Sequence, residues 1–363
     1  MKKLLRYSIK PIPSVISGLS RKMVDTDCVC ILSFKFLGDS VFSIPAIKVI
    51  TENFAGKRII LFCYEDTRPV YQLILRNIEY VTFKREELNF NTRIPRLNLI
   101  HKIRKTHAGI LFDLTSEYQT ALATALSGVG KTVGFNSEFF EYVYKVFSLK
   151  RKLPDLTDMH LEPVLKFFNI NGVENRKIFR KDFNVKDRIL IHPFAGWKAK
   201  EWHLSNFINL AEDLNKEYKC QFITRKNSIP YGPLSVIKQK EIDVIETVSV
   251  DRLINELRTC SLIISNDTGP VYLAALLGKA TFTIYGPTNP LFTVPRGGHH
   301  DYIMEKIECS SAEDEKYCSA YGGRLCGSFE CMNKLNYEMV LDRIKTFADK
   351  IGLQKVKLGN SCS

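Results

Sequence analysis

The sequence contains no uninterrupted apolar run that approaches the roughly 20 residues a membrane-spanning helix needs. Its opening stretch also lacks the pattern of a secretory signal, because Lys10, Pro11 and Pro13 interrupt the apolar residues and no small-residue cleavage site follows. Internal repeats and low-complexity tracts are absent as well. These absences argue against membrane-spanning, secreted and repeat proteins, so we expect a globular protein of the cytoplasm.

Two sequence signatures of bound groups are missing. No G-x-G-x-x-G fingerprint follows the first predicted strand, which disfavours dinucleotide binding. The ten cysteines are scattered, and none of those in the last quarter of the chain form the CxxC pairs of a structural zinc site. The four cysteines within residues 309–331 are Cys309, Cys318, Cys326 and Cys331. We favour free cysteines in a reducing compartment, and a metal or disulfide role is the alternative.

Positive charge, by contrast, is abundant. The chain has 52 lysines and arginines against 39 acidic residues, a formal net charge of +13. Residues 1–24 carry basic side chains and no acid, and a second acid-free cluster consists of Arg93, Arg96, Lys102, Arg104 and Lys105. Such charge suits a nucleic acid, an anionic membrane surface or a phosphorylated substrate. We expect no nucleic acid as partner, because no binding module is recognisable and the basic residues do not alternate with aromatics. A solvated surface is the alternative for either cluster.

Short β-branched runs alternate with segments of helical periodicity, which is the pattern of βα units around parallel sheets. The alternation stops near 137, restarts at 188, and covers a length typical of two domains. We therefore predict an α/β fold of two doubly wound, Rossmann-like domains with an inter-domain cleft, and ligands at the carboxyl ends of the strands. The predicted bounds are 1–24 for a basic segment, 25–165 and 166–335 for the two domains, and 336–363 for a last helix and tail.

The first candidate catalytic residue follows the first predicted strand, in the segment FLGDS at 36–40. Gly38 permits a tight strand-to-helix turn, which leaves Asp39 at the carboxyl end of the strand. A carboxylate at this position can accept a proton from an attacking hydroxyl group. The alternative is that Asp39 only caps the following helix.

A second candidate is the loop HPFAGWKAKEW at 192–202, after the first strand of the second half. Gly196 permits close approach of the backbone, and Lys198 and Lys200 supply positive charge. A loop of this kind that runs into a helix suits a diphosphate. A solvated basic loop is the alternative, and we expect the two tryptophans of the loop to pack.

A third candidate is the segment SNDTGP at 265–270, which ends a strand and opens a helix. Backbone N–H groups at a helix start, together with the Thr268 hydroxyl and Gly269, form a cradle for an anion. The alternative is that Asp267 or Thr268 is an ordinary N-cap. The turn YGPTNP at 285–290 is a weaker candidate, for which we favour a plain loop.

Five segments, taken together and in order, resemble glycosyltransferase family 9, the ADP-heptose:lipopolysaccharide heptosyltransferases. The resemblance extends from about Cys30 to about Ile344. The segments are ILSFKFLGDSVFSIPAI, GILFDLTSEYQTALATALSGVGKTVGF, ILIHPFAGWKAKEWHLSNFINLAEDL, LIISNDTGPVYLAALLGKATFTIYGPTNP and the cysteine-rich stretch that ends at Cys331.

The resemblance implies a GT-B fold, with an acceptor-binding first domain, a donor-binding second domain and a last helix that packs back on the first. It implies an inverting transfer in which Asp39 is the general base and Lys200 neutralises the donor phosphates. It places the diphosphate-binding turn at Asp267, Thr268 and Gly269.

The expected donor is a nucleotide sugar, ADP-heptose. The expected acceptor is a lipopolysaccharide core or related phosphorylated glycolipid, bound by the cluster at 93–105. We expect the protein to be peripheral at the cytoplasmic face of the inner membrane, with the basic 1–24 segment on the anionic surface. No metal or cofactor is expected, since lysines and a helix N-terminus take the place of a cation.

The sequence departs from the family pattern in three places, and the first two leave the donor open. Tyr272 stands where many members have histidine, five residues after Asp267. Residues 225–228 are RKNS, where the family usually places a glycine-containing turn and a donor-contacting acid. Ala312 replaces the second cysteine of a CxxC pair. The alternative is a family 9-like transferase with another nucleotide sugar, and a more distant one is a non-catalytic basic protein.

Overall fold

The structure, a computed structural model, describes residues 27–88, 96–136, 143–149, 155–171, 188–320 and 322–356. The chain divides into two compact units, Met1–Arg176 and Lys177–Ser363. Within the described residues, each unit contains one six-stranded sheet in which every pairing is parallel. The predicted α/β fold with two doubly wound sheets is confirmed.

The first sheet has the strand order β3-β2-β1-β4-β5-β6. Its strands are β1 (Cys28–Leu32), β2 (Arg58–Tyr64), β3 (Glu79–Phe83), β4 (Ile110–Asp113), β5 (Lys131–Asn136) and β6 (Val146–Leu149). Its helices are α1 (Leu37–Asn53), α2 (Arg68–Gln72), α3 (Leu97–Lys105), α4 (Tyr118–Ser127) and α5 (Leu156–Phe168). Every residue of β1 is buried, as expected for a central strand that helices cover on both faces.

The second sheet has the strand order β12-β11-β10-β7-β8-β9. Its strands are β7 (Arg188–His192), β8 (Lys219–Arg225), β9 (Asp243–Thr247), β10 (Leu262–Asn266), β11 (Ala280–Tyr285) and β12 (His300–Met304). The helices are α6 (Leu204–Asn215), α7 (Tyr231–Gln239), α8 (Val250–Arg258), α9 (Gly269–Leu276), α10 (Glu330–Asn333) and α11 (Tyr337–Lys350). None of the helices in the described residues is both long and apolar enough to cross a membrane.

Both sheets reverse their strand order once, between β1 and β4 in the first and between β7 and β10 in the second. Connections on the two sides of such a point leave in opposite directions, which opens a crevice at the carboxyl ends of the strands. Asp39 follows β1, Lys200 follows β7, and Asp267 follows β10. The topology therefore places all three residues at the switch point of their own sheet.

Helix α5 belongs to the first unit, although the strand-and-helix alternation of the sequence is interrupted there, and from the sequence alone we interpret residues from about 137 to 185 as the connection between domains. Asp155 caps the helix by accepting from the Thr157 N–H at 2.7 Å. The Phe167 ring packs 5.1 Å from Phe112 and the Phe168 ring 5.3 Å from Phe54, measured between centroids. These contacts hold the helix on the first unit, so the boundary predicted between 165 and 166 cuts a helix of that unit.

Helix α11 packs in the core of the second unit. Its buried face carries Val340, Ile344 and Phe347, and the Phe347 ring lies 6.0 Å from that of Phe282 in β11. The resemblance implied that this helix packs back on the first domain. Within the second unit, the apolar face of the helix covers the second sheet and buries its hydrophobic side chains there.

Candidate functional site

Asp39 lies in the first turn of α1, directly after β1. Phe36 is the N-cap residue, and no side chain caps this end of the helix. Within the described part of the chain, the partly exposed Asp39 carboxylate accepts no hydrogen bond and forms no ion pair. Asp39 is therefore not a cap here, and its carboxylate is available to accept a proton.

The loop that leads to Asp39 is tied to the end of β4. The Phe34 N–H donates to Thr115 Oγ1 at 3.0 Å, and the Lys35 ammonium donates to the Thr115 carbonyl at 2.8 Å. Asp113 fixes Thr115 in turn by accepting its N–H at 2.9 Å, and it accepts the Tyr144 hydroxyl at 2.7 Å. Burial raises the pKa of Asp113. These bonds hold the carboxyl ends of the two strands together.

Arg85 is a basic residue at this edge that the sequence did not single out. It follows β3, and its guanidinium lies 4.6 Å from the Phe36 ring centroid and 4.3 Å from that of Tyr64. An ion pair with Asp66, at 2.7 Å, fixes its orientation. Because Phe36 begins the helix that carries Asp39, Arg85 brings a fixed positive charge to the turn of the candidate base. Its position directly after a predicted strand was the one available signal.

The predicted acceptor cluster does not converge on Asp39. The Arg104 guanidinium donates to the Leu126 carbonyl at 2.7 and 3.1 Å, near the end of α4. The chain then turns so that the Gly109 N–H donates to the Cys28 carbonyl at the start of β1. Arg104 and Lys105 therefore lie toward the amino ends of the strands, at the edge opposite Asp39.

The other members of that cluster are separated from these two. The Lys102 Nζ lies 4.1 Å from the Phe83 ring centroid, at the end of β3. Arg96 is the N-cap residue of α3. Arg93 lies outside the described residues. A run of basic residues that crosses a whole helix is thus distributed over both edges of the sheet.

In the second unit, Lys200 ends a short 3₁₀ helix in the loop after β7. Its ammonium forms a salt bridge with Asp267, which follows β10. The Nζ atom also lies 4.2 Å from the centroid of the Trp197 indole ring. Lys200 is 8% exposed and Asp267 3%, so this charge pair is largely removed from water. The second and third candidate motifs are therefore brought together at one switch point.

Each oxygen of the Asp267 carboxylate has its own donor. Lys200 binds Oδ2, and the hydroxyl of Tyr272 donates to Oδ1. Burial raises the pKa of Asp267, but attraction to Lys200 and the hydrogen bonds from Lys200 and Tyr272 outweigh burial, and the pKa is lowered. A carboxylate held ionised in this way repels a phosphate group. Its geometry suits positioning Lys200 rather than the direct diphosphate contact that the sequence predicted, and it is not an N-cap.

The start of α9 lies beside this pair. Thr268 is the N-cap residue in extended conformation, and its side chain makes no capping hydrogen bond. Thr268 and Gly269 are both partly exposed, and Pro270 follows in the first turn. The partial positive charge of a helix N-terminus and the Thr268 hydroxyl are thus available to an anion.

Lys198 and Gly196 are more loosely placed than Lys200. The Lys198 side chain is 78% exposed, and its ammonium pairs with Glu201 at 2.9 Å. A Cβ atom at Gly196 would meet no atom within 4 Å, so packing within the protein does not require glycine there. Lys200 is the buried, fixed cation of this loop, and Lys198 is a surface charge beside it.

The cysteine-bearing segment supports the Lys200 loop. The Trp197 Nε1–H donates to the Gly322 carbonyl at 2.8 Å. Gly323 has φ +77°, and a Cβ there would lie 2.4 Å from the Cβ of Ala199, the neighbour of Lys200. Only glycine accommodates both this backbone conformation and this approach. The segment therefore packs directly against the turn that carries Lys200.

The turn at 285–290 also holds this segment. The Pro287 carbonyl accepts the Cys318 N–H at 2.9 Å, and the Asn289 side chain donates to the carbonyls of Ala312 and Glu315, each at 3.0 Å. These contacts agree with the interpretation of the turn as a structural loop.

The four cysteines of this segment line one cavity. They are free thiols, and burial raises the pKa of Cys331 to about 11. Within the described residues, no group of three or more His, Cys, Asp or Glu side chains is arranged to hold a metal ion. The cysteines of the cavity are Cys309, Cys318, Cys326 and Cys331.

Comparisons with known proteins agree with this architecture. A model of glycosyltransferase family 9 (heptosyltransferase) matches residues 143–321. Lipooligosaccharide heptosyltransferase 2 of Campylobacter jejuni is 22% identical over 326 residues, which cover 85% of this chain and 95% of that protein. The chain is a family 9, heptosyltransferase-like glycosyltransferase.

Two solved structures share the fold of this family 9 glycosyltransferase. The family 9 glycosyl transferase from Veillonella parvula has a TM-score of 0.72 at 18% identity, covering 91% of this chain and 100% of that one. The ADP-heptose lipopolysaccharide heptosyltransferase II of E. coli has a TM-score of 0.67 at 15% identity, covering 89% and 98%. The GT-B fold is therefore confirmed.

Proposed function

We propose that this enzyme transfers a heptose from ADP-heptose to a lipopolysaccharide core or related phosphorylated glycolipid, with inversion at the anomeric carbon. One observation carries the donor half of the proposal: the buried Lys200–Asp267 pair beside the uncapped start of α9. The names of the heptosyltransferases to which the chain is similar support heptose as the sugar.

In the proposed reaction, Asp39 accepts the proton of the acceptor hydroxyl as its oxygen attacks the anomeric carbon. The bond between that carbon and the diphosphate oxygen breaks, and its electron pair stays on the leaving nucleoside diphosphate. Lys200 and the N-terminus of α9 stabilise this charge. An ammonium held in place before the reaction needs no reorganisation as charge develops, which makes such stabilisation a large catalytic term. No metal or cofactor is part of the proposal.

The phosphorylated acceptor is proposed to bind at the carboxyl edge of the first sheet. Arg85 is fixed there by Asp66 and by two aromatic rings, and Lys35 lies on the same edge. A guanidinium presents donors in a fork that matches phosphate oxygens. This assignment replaces Arg104 and Lys105, which lie at the opposite edge.

A nucleotide sugar other than ADP-heptose is the second candidate for the donor. Residues 225–228 form a basic turn in which Asn227 is left-handed, with φ 59°, and its N–H donates to Glu246 at 2.8 Å. This turn differs from the family pattern at the position of a donor-contacting acid, which favours testing another nucleotide sugar.

The experiment incubates the purified full chain with a delipidated core acceptor and either ADP-heptose or UDP- and GDP-linked hexoses. We expect product with ADP-heptose alone, and NMR of the new linkage should show inversion. Transfer from a UDP or GDP donor only would replace the ADP-heptose proposal with the second candidate. No transfer from any donor would overturn the proposed activity.

Membrane association is proposed from charge alone, because residues 1–24 lie outside the described part of the chain. Each basic residue near an anionic surface contributes about 1 kcal/mol, and salt screens the attraction. The full chain is expected to sediment with anionic vesicles at low salt, and the chain without residues 1–24 is not. If the full chain and the truncated chain sediment equally, residues 1–24 are not the membrane-binding surface.

A further inference from the structure

We propose that Tyr272 is a positioning residue for donor binding: its hydroxyl fixes the Asp267 carboxylate, which in turn fixes the Lys200 ammonium. The inference rests on the proposed function, because it concerns the site proposed for the donor diphosphate. It assigns a role to the residue at which this chain departs from the histidine of many relatives.

The two oxygens of the Asp267 carboxylate accept hydrogen bonds from two different donors. Lys200 takes Oδ2 and Tyr272 takes Oδ1, and all three side chains are buried. An ionised carboxylate only accepts hydrogen bonds, so the Tyr272 hydroxyl must be the donor in this contact. Burial, and then the negative charge of Asp267, raise the pKa of Tyr272 and keep its proton in place. Asp267 therefore cannot rotate toward another donor without breaking one of two charge-assisted bonds.

A second row of hydroxyl groups lies behind Tyr272. The Tyr285 hydroxyl is 3.5 Å from that of Tyr272 and 3.0 Å from Thr293 Oγ1. Tyr285 is buried in β11 and does not bond to Asp267. The groups that face Asp267 are Lys200 from the 3₁₀ helix, Tyr272 from α9, the Thr288 hydroxyl from the turn at 285–290 and, more remotely, Tyr285. Tyr285 offers a matched control, because Tyr285→Phe removes the same atom from the same kind of ring.

Removing the Tyr272 hydroxyl takes away the hydrogen bond that it donates to Oδ1 of the buried carboxylate. The carboxylate and the ammonium then share a single contact and are less restricted in orientation. We expect Tyr272→Phe to weaken nucleoside diphosphate binding roughly tenfold, the lower end for one hydrogen bond to a charged group. The KM of the acceptor should not change. Tyr272→His should recover most of the affinity, because an imidazole N–H can donate to the carboxylate.

The test uses calorimetry of the full chain with ADP, UDP and GDP as probes. We expect the diphosphate affinity to fall tenfold in Tyr272→Phe and less than twofold in Tyr285→Phe. In Tyr272→His the affinity should return close to that of the wild type. Equal losses in the two phenylalanine variants, or wild-type affinity in Tyr272→Phe, would overturn the inference and leave the proposed function standing. If the wild type binds none of the three diphosphates, both fail together. If Tyr272→Phe does not fold, a folded Tyr272→His with tenfold weaker binding overturns the inference, and one with wild-type affinity supports it.

A second readout needs no ligand. Because folding lowers the pKa of Asp267, this carboxylate stabilises the folded state at every pH above the usual pKa of a carboxyl group. This stabilisation is lost as the pH falls through the lowered pKa of the folded state. Loss of the Tyr272 donor raises that pKa, so Tyr272→Phe should unfold at a higher pH during acid titration than Tyr285→Phe. Identical acid midpoints would contradict the proposed role.

Discussion

The Lys200 ammonium lies against the face of Trp197, with Nζ 4.2 Å from the ring centroid. The indole is itself fixed, because its Nε1–H donates to the Gly322 carbonyl at 2.8 Å. The cation is thus held by an aromatic face and by the Asp267 carboxylate. A lysine with two fixed partners loses less conformational freedom when a ligand binds, which favours affinity.

Trp197→Leu is expected to weaken nucleoside diphosphate binding roughly threefold to tenfold, the effect of losing a cation–π contact of about 0.7–1.4 kcal/mol. Trp197→Phe is the control, because it keeps an aromatic face and removes the hydrogen bond to Gly322. Calorimetry should rank the wild type above the phenylalanine variant and that above the leucine variant. Wild-type affinity in Trp197→Leu would show that the indole only packs.

Lys200→Met should lower both stability and diphosphate affinity. Removing one partner of a buried ion pair costs about 3–5 kcal/mol, because the other charge is left buried and uncompensated. The double variant Lys200→Met with Asp267→Asn should regain much of that stability, since no charge then remains. Its diphosphate affinity should stay low.

Denaturant unfolding and calorimetry on the same samples separate the two effects. A double variant that regains affinity together with stability would mean that Lys200 serves only the fold.

Substitutions of Arg85 and Arg104 are expected to have different effects on the KM of the acceptor. Arg85→Gln is expected to raise the acceptor KM roughly tenfold or more, because a charge-assisted contact to a phosphate is removed. Arg104→Gln should leave the acceptor KM unchanged and slightly lower the melting temperature, because its guanidinium bonds to the Leu126 carbonyl. The reverse pattern would restore the acceptor site predicted from the basic run in the sequence.

The sequence was sufficient for the elements that depend on periodicity and topology. Alternating strands and helices predict two doubly wound sheets, and such sheets bring strand ends together. The topology therefore brings the loop of Lys200 and the turn of Asp267 to neighbouring strand ends, although 67 positions separate the two residues. Their direct pairing carries no sequence signal, because it depends on the depth and rotamer of each side chain.

The sequence alone did not predict the features that depend on the direction in which a helix runs or on packing between distant segments. Arg104 and Lys105 follow Arg96 closely in sequence, but a helix carries them to the opposite edge of the sheet. The amphipathic pattern of α11 predicts a buried face but does not specify which unit covers it. The sequence could not predict the role of Arg85, because that role depends on the aromatic rings that pack around its guanidinium.

The most direct test of the account compares the turnover of Asp39→Asn with that of the wild type, using ADP-heptose and the core acceptor. Glu65→Gln is the control, since it neutralises an exposed carboxylate at the same edge of the first sheet. We predict that Asp39→Asn keeps its melting temperature and ADP affinity while turnover falls roughly 100-fold or more, the usual effect of losing a general base. Glu65→Gln should stay within about twofold of the wild type in turnover, since this exposed carboxylate forms no hydrogen bond or ion pair with the described residues. Near-normal turnover in Asp39→Asn would contradict the account.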